Sequence, residues 1–468
     1  MPDTAPPPFT HPCFQGWIGV DREDITPPIG IYARNWGAAA HDVAEGIHRR
    51  LTATALAIRN SLDGDPVIFV TLDLGWWRSS RDEWHVRGYL LEKLNLPVER
   101  LMLHFTHTHA GPVLCQEDAD KPGGSMVKPY LDFLREAVCR AIQKALVSAV
   151  PAILEWSSGK CSLARNRDLL DPERPRFLCG FNPSSSADDT LLVGRVVAED
   201  GRYMATLVNY ACHPTTLAWE NRLLSPDFVG AMREIVEAHT DQSPCLYLQG
   251  ASGELAPREQ YTADTSIADA HGRELGFAAL STLEGMLPCS TQLSYRGVVE
   301  SGAPLAHWQR EPKQCSTDLN IVQTDVEFTL QPMPAIAELN AQIQTCQDRV
   351  LLERLNRKRR IREGVGDGET TRMPLWVWQL GDAVFVGHPN EAYSLLQTTL
   401  REKFPGKALA VMNVVNGHFG YLPPAEQYDH DIYPVWQTPF HRGSLERLIT
   451  TCEDIIQPMT DGGEPRHV

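Results

Sequence analysis

Apolar, β-branched runs punctuate the chain at Pro66–Leu74, Leu101–Phe105, Tyr203–Tyr210, Cys245–Gln249, Trp376–Leu380, Ala383–Gly387 and Ala408–Val414. Their length and their lack of helical spacing predict buried strands. Between them lie helical patterns. Leu134, Val138, Ala141, Ile142 and Ala145 recur with a 3.6-residue period. Ser225-Pro226-Asp227 reads as a helix start, with serine as N-cap and proline at the first helical position. Ile336, Leu339, Ile343, Cys346 and Val350 are spaced by three and four, which predicts one long helix lying along a groove. Asn182–Asp189 and Glu363–Thr371, rich in Gly, Ser and charge, read as loops.

Strands alternating with helices predict an α/β fold: a mixed β-sheet core with helices on both faces. In such folds functional groups collect where strands end. Residues 1–15 are Pro-rich and read as a loose N-terminal arm, 16–457 as one densely patterned domain, and 458–468 as a C-terminal tail.

Composition narrows the classes. A formal charge of −16 sets the chain against nucleic acid and anionic membrane surfaces, which repel an acidic protein. The basic run Arg354 to Arg362 reads as a solvated helix face. No apolar run is long enough for a transmembrane span, and MPDTAPPPFTHPCFQ lacks the charged start and apolar core of a secretory signal. The 11 cysteines are scattered, odd in number and without a CxxC pair, so they read as reduced thiols of a cytoplasmic protein.

Candidate chemistry sits just past the strand runs. In His104-Phe105-Thr106-His107-Thr108-His109-Ala110-Gly111-Pro112, alternation places His107 and His109 on one side and His104 on the other. Neutral imidazole is a favoured zinc ligand, although turn histidines near a Gly-Pro loop would look the same. His213, followed by Pro214, leaves another apolar strand in an extended conformation. In Gly387-His388-Pro389-Asn390-Glu391 the carboxylate reads either as a metal ligand or as a helix-dipole partner, and His388 competes with it as a ligand. Tyr421, Tyr428 and Tyr433 follow Asn416-Gly417-His418 and read, on their own, as amphipathic covers.

Taken in order, these segments resemble the neutral (non-lysosomal) ceramidases. The resemblance runs over roughly residues 16 to 450. It is carried by Gly19–Pro27 (GVDREDITP), Val43–Leu51, Leu72-Asp73-Leu74-Gly75, the HTHAGP loop, Asn166-Arg167, His213-Pro214-Thr215, Asn221–Asp227 (NRLLSPD) and Gln249–Glu254 (QGASGE). It implies one zinc ion held by His107, His213, Glu391 and Tyr421. It also implies catalytic roles for His109, Arg167 and Tyr433, the last falling 12 residues after Tyr421. The implied reaction is hydrolysis of a linear amide, with ceramide or a smaller N-acyl compound as the small-molecule substrate. The family's C-terminal immunoglobulin-like domain has no counterpart here, and its Gly-Asp-Val-Ser-Pro run reads Gly253-Glu254-Leu255-Ala256-Pro257. Two other readings compete: an amidohydrolase built as a β/α barrel, which also places His-x-His at a strand end, and a non-catalytic relative that binds a small ligand.

Overall fold

A computed structural model describes residues 5–460. Its main sheet contains β1 (Cys13–Asp24), β2 (Thr52–Arg59), β3 (Val67–Leu72), β4 (Leu101–Phe105), β5 (Val150–Lys160), β6 (Thr190–Ala198), β7 (Tyr203–Tyr210) and β8 (Cys245–Gln249). The order across the sheet is β8-β7-β6-β5-β1-β2-β3-β4. The interior pairs are antiparallel, and a parallel pair closes each edge, β7/β8 and β3/β4. A second sheet runs β9 (Leu319–Thr329), β10 (Thr370–Leu380), β11 (Ala383–Gly387) and β12 (Ala408–Met412), again ending in a parallel pair.

The two sheets pack face to face. Phe69, Met102, Trp156, Leu207 and Leu246 of the first meet Trp376, Trp378, Phe385 and Met412 of the second in one buried cluster. Alternation along β10 sends Leu375 and Val377 the other way, onto helices α7 (Leu395–Lys403) and α9 (Ser444–Thr460). The outer face of the main sheet is covered by α1 (Ser80–Leu94) and α2 (Val127–Val147) at one end and by α3 (Phe228–Ala238) and α4 (Thr265–Glu284) at the other. The expected mixed sheet with flanking helices is therefore present in duplicate, as helix, sheet, sheet, helix. Two open sheets exclude the β/α barrel. Gly19 matters to this layering: a Cβ there would overlap the Ala145 carbonyl, so α2 could not lie against β1.

Several local expectations change. Cys13–Gln15 belong to β1 and not to an arm, and Phe9 pairs with Leu293. The tail of 458–468 lies outside the described residues except for 458–460, which complete α9. The helix after Ser225 starts two residues later: Asp227, at φ 56°, caps Phe228, while the Ser225 hydroxyl accepts from the Asp227 N–H at 2.9 Å. The long helix over 336–350 is two helices, α5 (Ile336–Thr345) and α6 (Arg349–Val365). Asp348 breaks the run because its carboxylate accepts from the Val350 and Leu351 N–H groups at 2.8 and 2.9 Å. The basic run on α6 is not simply a solvated face, since Arg360 packs 8% exposed against Asp118. Cys13 and Cys315 form a disulfide with Cα atoms 5.4 Å apart, leaving nine free cysteines. The Gln15 N–H donates to Ser316 O at 2.8 Å and holds the two segments in register. No spacing rule reveals a pair 302 residues apart. Among the described residues no helix is long and apolar enough to cross a membrane.

Candidate metal centre

The parallel pairs β3/β4, β7/β8 and β11/β12 each deliver two C-terminal ends, and these ends meet where the sheets touch. Polar side chains stitch the junction: the Gln249 N–H donates to His104 Nε2 at 3.1 Å, and Asn416 bonds Leu103 N and Leu101 O at 2.8 Å each. His104 is thus a structural histidine on the far side of β4, stacked on Phe69. Past the end of β4 the chain turns sharply, and His107 takes φ 70°. Non-glycine residues rarely adopt such a backbone, and strain of this kind concentrates at functional sites.

Orientation of the imidazoles is fixed from behind. His107 Nδ1 lies 2.9 Å from the Gly75 carbonyl, and His213 Nδ1 lies 2.7 and 3.1 Å from the carbonyls of Ser252 and Leu255. A carbonyl only accepts, so each Nδ1 carries a proton, and in the neutral form of each ring the Nε2 lone pair points inward. Both lone pairs converge on Glu391 Oε2, at 2.9 Å from His213 and 3.4 Å from His107. The other carboxylate oxygen lies 2.8 Å from His418 Nε2.

Two neutral imidazole lone pairs facing one carboxylate oxygen repel unless a cation or an added proton lies between them. Protonation is disfavoured at His213: burial and then the Arg167 charge push its pKa down to about 4. The donor set therefore fits a divalent cation, bound by nitrogen and oxygen as zinc prefers. Tyr421 faces Glu391 in a two-residue parallel ladder. Burial and the Glu391 charge hold its phenol well above the usual pKa, a sign that a bound dication reverses.

The structure thus brings His107, His213, Glu391 and Tyr421 together. His109 joins them: ligating nitrogens of His107, His109 and His213 all lie within 4.8 Å of one another. Its ring is wedged between Trp76 and Trp36, with centroids 4.9 and 5.1 Å away, and its Nε2 is buried without a hydrogen-bond partner. Burial, followed by the neighbouring His107 and His213, holds its pKa well below the ordinary value. Arg167 donates to Gly253 O at 2.7 Å and to the Tyr421 hydroxyl at 3.0 Å. Tyr433, on the short helix α8 (Tyr433–Gln437), sets its ring 5.5 Å from that of Tyr421. Its hydroxyl oxygen accepts from Arg357 Nη1 at 2.8 Å, which leaves its own proton free to donate. His388 stays apart: its Nδ1 accepts from the Asn390 N–H at 3.2 Å, and this tight turn delivers Glu391 instead. Sequence reasoning missed the roles of His418 and Arg357. His418 stood three residues before Tyr421, yet nothing short of the fold aims it at Glu391.

A cavity of about 430 Å³ opens beside this cluster, lined among others by His109, Arg167, Tyr421 and Tyr433. A family model described as "Neutral/alkaline non-lysosomal ceramidase, N-terminal" matches residues 17–256. The chain belongs to this family. Among ceramidases, the neutral ceramidase of Pseudomonas aeruginosa is 26% identical over 221 residues, or 46% of this chain and 32% of that protein. The neutral ceramidase of Drosophila pseudoobscura pseudoobscura is 26% identical over 229 residues, or 47% of this chain and 32% of that protein. The matched stretch is about a third of the length of these relatives. The fold agrees over more of the chain. A solved structure titled "Ceramidase complexed with C2" superposes with a TM-score of 0.66 at 16% identity, covering 98% of this chain and 76% of that one. The crystal structure of the Pseudomonas aeruginosa neutral ceramidase gives 0.65 at the same identity and coverage. The family match contains His107, His109, Arg167 and His213 but stops before Glu391, Tyr421 and Tyr433, which join the site through the second sheet.

Proposed function

We propose that this ceramidase-family chain is a zinc-dependent hydrolase that cleaves the amide bond of an N-acyl compound. The observation that carries the reading is the pair of carbonyl-locked imidazoles, His107 and His213, aimed with Glu391 at one point. His107, His213, Glu391 and Tyr421 would hold the metal, which when bound would supply Lewis-acid polarisation of the amide carbonyl and a lowered pKa for water.

The remaining steps belong to side chains. His109, neutral and with an unpartnered Nε2, takes the proton from the attacking water and returns it to the leaving amine. Tyr433 donates its free hydroxyl proton to the oxygen that gains charge as the carbonyl is attacked. Arg167 holds Tyr421 in place and adds positive potential on the same side. Trp36 and Trp76 pack around His109 and hold its ring in place. The cavity lies near the lower end of the roughly 300–1,000 Å³ usual for small-ligand sites, which favours a compact N-acyl compound over a fully enclosed two-chain lipid.

The test is hydrolysis of an N-acyl panel, from short acyl amino acids to ceramide, by zinc-loaded protein, by chelator-treated protein and after zinc is restored. Cleavage that disappears with the metal and returns with it is the expected result. Zinc-loaded protein that cleaves no member of the panel contradicts the reading.

A further inference from the structure

We propose that the substrate carries an anionic group close to its amide, as an N-acyl amino acid does, and that Arg354 and Arg357 receive it. The inference rests on the hydrolase reading for the position of the scissile bond. Its foundation is the charge of the cavity. Arg167, Arg354 and Arg357 line it, against one carboxylate, Glu353. On a chain of net charge −16 this local excess of cations is unexpected.

Neither α6 arginine has a carboxylate to itself. Arg354 has no carboxylate partner among the described ion pairs, and its guanidinium lies 5.6 Å over the Trp436 ring. Arg357 lies one turn further along the same face. Its Nη2 is 3.4 Å from Glu353 Oε1, but the same oxygen also receives Arg78 Nη1 at 3.1 Å. One carboxylate thus serves two guanidiniums. A neutral substrate would desolvate this excess charge without replacing it, whereas an anion makes charge-assisted hydrogen bonds to it.

Position follows from Tyr433. Arg357 donates to its hydroxyl at 2.8 Å, so an anion on Arg357 sits within a few bonds of the carbonyl that Tyr433 addresses. Trp36, Trp219 and Tyr261, with ring centroids 5.6 to 6.0 Å apart, form an aromatic wall suited to the apolar acyl part.

The experiment compares N-octanoylglycine with its methyl ester, which removes the charge at nearly constant size. Hydrolysis is followed as kcat/KM. Binding is followed by calorimetry on the zinc-loaded protein, using ketone analogues of both compounds in which CH2 replaces the amide NH. The carboxylate should bind about tenfold or more tightly than the ester. The preference should shrink as salt rises. Arg354→Gln, at an exposed position where folding is not at risk, should bring the ratio toward one, and Arg354→Lys should retain most of it. Equal binding of acid and ester, or an unchanged ratio in Arg354→Gln, overturns the proposal. If neither compound is hydrolysed but the acid still binds better through Arg354, the anion site stands and the hydrolase reading falls. If both are hydrolysed and bound equally, the hydrolase reading stands and the anion site falls.

Discussion

Asp73 follows the end of β3 and lies two residues before the carbonyl that orients His107, so its removal should disturb both fold and site. Its carboxylate is fully buried and takes Arg233 through two hydrogen bonds, 2.8 and 2.6 Å long. The second oxygen also accepts from the Thr52 N–H at 2.8 Å and from the Thr52 hydroxyl at 2.9 Å. Asp73→Ala leaves Arg233, 5% exposed, as a buried charge with no counter-ion in its place. Breaking one half of such a pair costs about 3–5 kcal/mol. Native domains are stable by about 5–15 kcal/mol, so the loss is a large fraction of the whole. Replacing both partners with apolar groups, as in Asp73→Leu with Arg233→Met, should cost much less, because no charge is left behind. The assay is urea unfolding followed by circular dichroism, with zinc content measured on the same samples. The single variant should be about 3 kcal/mol or more below wild type and bind zinc more weakly, since the segment leading to Gly75 loses its ties to Thr52 and Arg233. A single variant within about 1 kcal/mol of wild type, or a double variant as unstable as the single, would refute the reasoning.

Three further predictions come from other parts of the molecule. Tyr433→Phe should keep zinc and lower kcat by about 10²-fold, the usual cost of one missing oxyanion donor; unchanged turnover removes Tyr433 from the mechanism. Burial raises the Glu254 carboxyl from 4.5 to about 7 against the opposing hydrogen bonds of Ser394. The folded state then binds this proton more tightly than the unfolded chain. Stability from this group is fullest below pH 4.5 and falls as pH rises toward 7, by about 3 kcal/mol in all. Glu254→Gln should accordingly gain on wild type between pH 5 and pH 8, and a constant gap between the two melting curves would contradict that. Finally, thiol titration of unreduced, denatured protein should find nine reactive thiols and, after reduction, 11; 11 from the outset would exclude the Cys13–Cys315 bond.

Legibility in the sequence followed the physics of each feature. β3, β4, β7, β8, β10, β11 and β12 are continuous apolar runs because both faces of each are covered, and those runs stand out in the sequence. β5 and β6 are harder to see because they carry Glu155 and Arg195 as a buried cross-strand ion pair, which interrupts the apolar pattern. The histidines were visible because they stand just past strand ends. From the residues alone His388 competed with Glu391; the resemblance pointed to Glu391, and the turn that uses His388 internally shows why His388 stays apart. Arg354 and Arg357 looked like a solvated face because composition does not say that α6 borders the cavity. The break at Asp348 was hidden by apolar residues that happen to keep helical spacing across it. The face-to-face sheets and the disulfide depend on partners far apart along the chain, which no local pattern records.

Everything about the chemistry depends on a metal at the point where His107, His213 and Glu391 converge. The direct measurement is elemental analysis of zinc-loaded, dialysed protein beside His213→Ala and Glu391→Ala variants whose folding is checked by circular dichroism. The account predicts one tightly held zinc ion per wild-type chain and almost none in either folded variant. A folded wild-type protein that retains no zinc, or variants that retain it in full, would contradict it.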